Sequence, residues 1–170
     1  MSVLYTTRTQ LEDAVYTWLD SLASEQIVWT KQKAPAPTSA YLALNFTVLA
    51  VSEGDGFERI QSGSVRTLIQ RRQATLNIQA FGDGAVDRLW SIKDSIYLES
   101  SLEVIKDSNL SIIRDENVAD LSLLLDTQIQ ERASMDLIIG YTKTVADGTN
   151  WIEVVEATSF GDALIIDSTP

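Results

Sequence analysis

Residues 71–99 read RRQATLNIQAFGDGAVDRLWSIKDSIYLE and place a strand, a turn and a helix in direct succession. Apolar and polar residues alternate over residues 73–80, which is the period of a β-strand with one buried face. Phe81-Gly82-Asp83-Gly84 then supplies a glycine turn, and we expect Asp83 to cap the helix that follows. The helix carries one apolar stripe at steps of three or four residues, formed by Val86, Leu89, Ile92 and Ile96. The strand face and the helix stripe can bury each other, so this unit is the predicted nucleus of the core.

Before this unit, the sequence predicts one helix and a long hairpin. The helix is expected over Thr9–Ala23, with either Thr9 and Glu12 or Thr7 and Gln10 as its capping box. Residues 40–81 are expected to form the hairpin. The run Glu53–Glu58 interrupts the strand pattern with two glycines and is predicted to be a flexible loop at the hairpin tip.

After the central helix, the patterns are shorter. Ser100 and Glu103 indicate a second capping box and a short helix that ends near Asp107. A strand is expected over Leu110–Ile113, and the last long strand within Ile129–Val145. Together these elements predict an α+β fold: an antiparallel sheet of four to five strands with two main helices packed on one face.

The predicted core draws on every long element of this fold. Its members are Leu11, Val15, Trp18, Leu22, Leu44, Phe46, Leu76, Ile78, Val86, Leu89, Ile92, Leu137 and Ile139. With 170 residues the chain is long enough to form such a core without disulfides. We expect a single domain over residues 1–156, followed by a C-terminal extension over residues 157–170.

Charge is distributed unevenly along the chain. Residues 1–93 contain nine acids and nine bases, whereas residues 94–170 contain fifteen acids and four bases, and 15 − 4 = 11 accounts for the whole net charge of −11. An acidic excess argues against tight DNA binding, which needs clustered Lys and Arg. It is consistent with a solvated surface or with a surface that repels a polyanion.

Several classes of chemistry are excluded by composition. The chain has no Cys and no His, so thiolate metal sites and triads built on histidine cannot form. Neither Gly54-x-Gly56 nor Gly82-x-Gly84 completes a dinucleotide-binding fingerprint, and no phosphate-binding loop is present. The sequence therefore predicts no catalytic residue, no cofactor and no metal, although a chance pair of carboxylates stays open. No stretch indicates secretion or a membrane span, and we expect no contact with a membrane.

Two groups of residues are candidates for contacts with a partner. Arg66, Arg71 and Arg72 form the one basic cluster, expected on the outward polar face of the hairpin, where phosphate binding and intersubunit salt bridges are both open interpretations. Phe57 is a candidate at the hairpin tip. The tail carries the aliphatic run Leu164, Ile165 and Ile166, which we expect to dock on its own sheet or on a neighbour.

Four short signatures, in this order, resemble the neck (tail) terminator family of tailed phages. The first is Trp29-x-x-Gln32-x-Ala34-Pro35-x-Pro37 with Tyr41, and the second is Leu44-Asn45. The third is Ile78-Gln79-Ala80-Phe81-Gly82, which leads into a helix. The fourth is Arg132-Ala133-x-x-Asp136-Leu137. The resemblance covers roughly residues 7–155 and implies an α/β subunit with helices packed on an antiparallel sheet.

The resemblance also implies a function without catalysis. Members of such a family form a six-fold ring that caps the tail tube and joins it to the head-side connector or stopper. By this analogy the partners are other copies of the chain, the tail-tube protein and the connector protein, while DNA passes through without specific binding. The implied location is the virion neck, after assembly in the host cytoplasm. The alternatives are another virion component, such as a tail-tube or head-completion protein, and a small-molecule-binding α+β domain.

Overall fold

The computed structural model describes residues 5–32, 35–62, 65–125, 128–147, 154–159 and 162–167. The helices in this part of the chain are α1 (Arg8–Asp20), α2 (Ala85–Ser95) and α3 (Glu99–Asp107). The long strands are β2 (Tyr41–Ser62), β3 (Val65–Phe81) and β8 (Arg132–Asp147). The shorter strands are β1 (Gln26–Trp29), β4 (Leu110–Asp115), β5 (Ala119–Asp120), β6 (Leu123–Leu125), β7 (Gln128–Gln130), β9 (Val154–Ser159) and β10 (Asp162–Asp167).

The main sheet has six strands in the order β1-β2-β3-β8-β4, with β5 also paired to β8. All of its pairs are antiparallel except β1 with β2. The strands β6 and β7 form a separate two-stranded sheet, and so do β9 and β10. The predicted α+β class is confirmed, with one more strand and one more helix than expected. None of the described helices is both long enough and apolar enough to cross a membrane.

One face of the sheet carries the core. On β3 and β8 the buried residues alternate along the strand: Ala74, Leu76, Ile78 and Ala80 on β3, and Ala133, Met135, Leu137 and Ile139 on β8. They pack in one cluster with the apolar stripes of all three helices. The Nε1 of Trp18 on α1 donates to the Oγ of Ser101 on α3 at 3.0 Å, so the one buried polar atom of this tryptophan is satisfied. Eleven of the thirteen predicted core residues are buried, and Leu22 and Val86 are partly buried against the same cluster.

The helix starts differ from two of the predictions. Thr7 and Gln10 form the capping box of α1, which decides between the two alternatives. Asp83 does not cap α2: the N-cap is Gly84, and its N–H donates to the Oε2 of Glu131 at 2.5 Å. Ser100 lies inside α3, whose N-cap is Leu98, so the second predicted capping box is wrong. The N-cap residue Leu98 has no side-chain hydrogen bond to the first turn.

Glu53–Glu58 is not the predicted hairpin tip, although the strand pairing is interrupted there. Strand β2 continues to Ser62, and β3 begins at Val65, so the residues 40–81 do form a hairpin but with its turn later in the chain. The pairing of β2 with β3 shifts register between Ser52 and Phe57. Such an irregularity accommodates residues that do not fit a regular ladder without ending the strand.

The turn before α2 supplies a first testable prediction. Gly82 and Gly84 both have positive φ, +91° and +74°, where a side chain costs about 1–2 kcal/mol. A Cβ at Gly82 would also lie 3.2 Å from the Cα of Ala40, whereas a Cβ at Gly84 would meet nothing within 4 Å. We expect Gly82→Ala to lower the free energy of unfolding by more than Gly84→Ala, measured by chemical denaturation. Equal losses would mean that the contact with Ala40 is relieved at no cost.

Candidate functional site

A stack of three side chains marks one end of the sheet, on the face that the helices leave uncovered. The rings of Tyr41 and Phe81 are stacked, with centroids 4.8 Å apart and an angle of 9° between the planes. The Cζ of Arg132 lies 4.9 Å from the centroid of Phe81, in cation–π contact. Sheet register produces this arrangement, because Tyr41 pairs with Phe81 and Phe81 pairs with Arg132. We call Tyr41, Phe81 and Arg132 the aromatic–arginine stack.

A row of hydrogen bonds continues from the stack along the same face. Arg132 Nη2 donates to Gln79 Oε1 at 2.6 Å, and Gln79 Nε2 donates to Asn77 Oδ1 at 2.6 Å. Asn77 Nδ2 in turn donates to Asp136 Oδ1 at 2.6 Å and to Ser134 Oγ at 2.9 Å. The bonds of Arg132, Ser134 and Asp136 cross from β8 to β3, and the bond between Gln79 and Asn77 runs along β3. Two buried polar atoms nearby, Asn45 Oδ1 and Arg132 Nε, have no hydrogen-bond partner in the structure.

A cleft of about 640 Å³ opens elsewhere on the subunit, where α3 and β4 meet β3 and β8. Of the residues that the structure describes, the basic ones lining it are Arg71, Arg72 and Lys106, and no Asp or Glu is among the lining residues. The apolar part of its wall includes Leu102, Ile105 and Ile112. We call this the basic cleft. It is unusual in a chain whose net charge is −11.

The three arginines of the sequence analysis do not share one outward face. In the regular pairing of β3 with β8, Arg71 lies opposite Thr142 and Arg72 opposite Tyr141, so the two neighbours point to opposite faces. Arg71 is exposed, whereas Arg72 is half-buried and its Nε donates to Gln70 Oε1 at 3.0 Å. The side chain of Arg66 lies outside the described residues.

Tyr5 joins the start of the described chain to β8 beside the basic cleft. Its N–H donates to Thr142 O at 3.1 Å, and its carbonyl oxygen accepts from Thr144 N at 3.1 Å. The phenol is 2% exposed, donates to Ser108 O and contacts Tyr141 edge to face, with centroids 6.2 Å apart. Burial raises the pKa of Tyr5 to about 12, because the phenolate would lose its hydration.

This pKa shift predicts a loss of stability at alkaline pH. Above about pH 10 the phenol of Tyr5 ionises in the unfolded chain but stays protonated in the folded one until about pH 12. The contribution of Tyr5 is therefore complete below pH 10 and is lost as the pH rises towards 12. We expect Tyr5→Phe to flatten this part of the stability–pH profile, measured by urea denaturation. Tyr16→Phe, on the exposed side of α1, is the matched control, and an equal effect of both would contradict the assignment.

Within the described part of the chain, no three acidic side chains are grouped to hold a metal ion. The polar groups of the row from Arg132 to Asp136 are engaged with one another, which suits a fixed recognition surface better than proton transfer.

Comparison with known families identifies the chain. Residues 9–163 match the phage neck terminator protein family. The chain belongs to this family. Comparison with curated proteins finds no match. As a member of the phage neck terminator family, the protein is a structural component of the virion neck.

The neck terminator signatures converge in the fold. Tyr41, Phe81 and Arg132 come from three separate signatures and form the aromatic–arginine stack, and Gln79 and Asp136 belong to the row beside it. Trp29 stacks on Phe46, with centroids 5.4 Å apart, beside the core. The motifs are separated by up to about 100 residues in the sequence. In the fold they lie side by side, because the strands that carry them are neighbours in the sheet.

For the other predicted interface residues of this neck terminator family member, the structure describes the strand to which each belongs but not the side chain. Leu164, Ile165 and Ile166 belong to β10, which pairs with β9, and Phe57 belongs to β2. Their side chains lie outside the described residues. Sequence reasoning missed Lys106 and the basic cleft, because Arg71, Lys106 and Thr142 are brought together only by the tertiary fold.

Proposed function

We propose that the protein closes into a six-fold, head-to-tail ring that caps the tail tube and joins it to the head-side connector or stopper. Membership in the neck terminator family supports this proposal. The single observation that carries it beyond the family name is the arm formed by the hairpin β2–β3 and the end of β8. A closed ring needs one surface of each subunit to contact a different surface of the next.

The arm extends well beyond the part of the sheet that the helices cover. Buried core residues of β3 begin at Ala74, whereas the strand begins at Val65 and pairs with β8 from Arg66 onward. The seven residues 65–71 span about 23 Å at about 3.3 Å per residue. A monomer of this size does not need such an extension for its core, so contact with a neighbour is the better reason for it.

The charge distribution suits a head-to-tail contact. The basic cleft is at the root of the arm, and the acidic excess lies after residue 93. Complementary charges of this kind set register and association rate, while apolar contacts contribute most of the affinity. The acidic excess also fits a passage through which DNA moves without being held.

The mass of the assembly and its symmetry test the proposal. Six copies of 18.8 kDa give a ring of about 113 kDa. We expect this mass in native mass spectrometry, for the protein alone or after addition of tail tubes, and a six-fold ring at the tube end in electron cryomicroscopy. A closed two-fold dimer that buries the two arms face to face would contradict the proposal, because it would leave no free surface for ring closure.

A further inference from the structure

We infer that the basic cleft is the receptor for the C-terminal segment of a second copy of this chain, residues 154–167. The inference deepens the proposed ring, on which it rests, by naming the segment and the surface that meet. The aliphatic and acidic residues of the segment would occupy a cleft whose wall is aliphatic and basic.

The basic cleft has the character of an unfilled anion-binding surface. Arg71 and Lys106 are exposed and form no ion pair within the described part of the chain. No Asp or Glu among the described residues lines the cleft. Cations such as Arg71 and Lys106 that have no counter-charge among the described residues are stabilised by an acidic occupant. The volume of about 640 Å³ is within the range of about 300–1,000 Å³ found for binding pockets.

The C-terminal segment has the complementary composition. After Lys143 the chain contains five acids, Asp147, Glu153, Glu156, Asp162 and Asp167, and no Lys or Arg. Three of these acids lie in residues 154–167 together with the run Leu164-Ile165-Ile166. Leu102 on α3 is 44% exposed at the cleft, and such an exposed aliphatic side chain gains from being covered. Both the charge and the apolar content of the segment therefore match the cleft.

In the proposed ring, where each subunit contacts the next, a second copy supplies the segment. β9 and β10 pair with each other and with no other strand among the described residues. The described residues that line the cleft belong to β3, β4, β8 and the α2–α3 region. β4 is the last strand of the sheet order on its side, so its outer edge can accept a further extended segment.

Engineered disulfides test the contact cleanly, because the natural chain has no cysteine. Ser111 lines the cleft and Ala163 lies in β10, so a full-length variant carrying Ser111→Cys and Ala163→Cys should form covalent multimers on mild oxidation. The control carries Ser24→Cys, an exposed position that does not line the cleft, with the same Ala163→Cys. A disulfide within one chain would overturn the assignment to a second copy. Multimers formed equally by the control would overturn the assignment to the cleft.

An assay with a synthetic peptide tests the cleft contact independently of ring formation. The probe is a synthetic peptide of residues 154–167 carrying Ala163→Cys, added in excess to full-length protein with only Ser111→Cys. We expect a mixed disulfide to form about tenfold faster than with the Ser24→Cys protein or with a scrambled peptide. Adding Arg71→Glu and Lys106→Glu should remove this advantage, whereas Lys31→Glu together with Arg114→Glu, the same change in net charge at exposed positions outside the cleft, should not.

The outcomes distinguish the two proposals. A native mass of six copies without a disulfide in either experiment would leave the ring standing and overturn the cleft contact. Selective disulfide formation without a six-fold assembly would support the contact and count against the ring. If no assembly forms, the peptide assay still tests the cleft contact. Failure of the peptide to react selectively with the Ser111→Cys protein overturns the contact.

Discussion

Leu89→Ala should lower the free energy of unfolding by about 2–5 kcal/mol, the usual cost of truncating a fully buried leucine. Leu89 on α2 is 0% exposed and belongs to the core cluster between that helix and the sheet. The substitution removes apolar contacts and leaves a cavity that a tightly packed core fills only in part. Denaturant titration with circular dichroism measures the change in the unfolding midpoint.

The matched control is Leu102→Ala, the same substitution in the next helix. Leu102 is 44% exposed, so its truncation loses little burial, and surface changes of this kind alter stability by about 0.5 kcal/mol or less. The difference between the two variants then measures burial and not helix propensity, which changes equally in both. Equal midpoints for Leu89→Ala and Leu102→Ala would show that the stripe of α2 is not part of the core.

The core around Leu89 could be predicted because its signals are local. Alternation over residues 73–80 and the helical spacing from Val86 to Ile96 are each contained in about ten residues, and both elements appear in the structure. Predictions failed where tertiary pairing overrides a local signal. Gly54 and Gly56 indicate a break, and the pairing with β3 does skip residues 53–56, but it resumes at Phe57 and β2 continues to Ser62. Asp83 is a good capping residue, but the N-cap of α2 is Gly84, whose N–H donates to the carboxylate of Glu131, 47 positions after Gly84.

The candidate surfaces were predictable to a smaller degree, because they depend on register. Arg71 and Arg72 were identified as partner contacts, but grouping them on one face ignored the two-residue period of a strand, which sends neighbours to opposite sides. Lys106 and Arg71 both line the basic cleft although they are 35 positions apart in the sequence. No local sequence pattern predicts that the two residues lie close together. The aromatic–arginine stack needs the pairing of three strands, which the sequence leaves open.

Charge reversal at the root of the arm should abolish the ring without unfolding the subunit. Arg71→Glu together with Arg72→Glu replaces two positive charges by two negative ones at a surface that we propose meets acidic residues of a neighbour. Like charges brought together at an interface cost several kcal/mol, and about 2.7 kcal/mol already weakens association about 100-fold. The expected result is a monomer in native mass spectrometry, and tails that lack a ring when the variant is added.

Two controls tie this effect to the interface. Circular dichroism should show a folded subunit, since Arg71 is exposed and Arg72 makes its described side-chain hydrogen bonds only with Gln70. Lys31→Glu together with Arg114→Glu makes the same change in net charge at other exposed positions, and the ring should survive it. Loss of the ring in both variants would mean that net charge alone governs assembly. A ring that persists with Glu at 71 and 72 would show that the neighbouring subunit contacts a different surface.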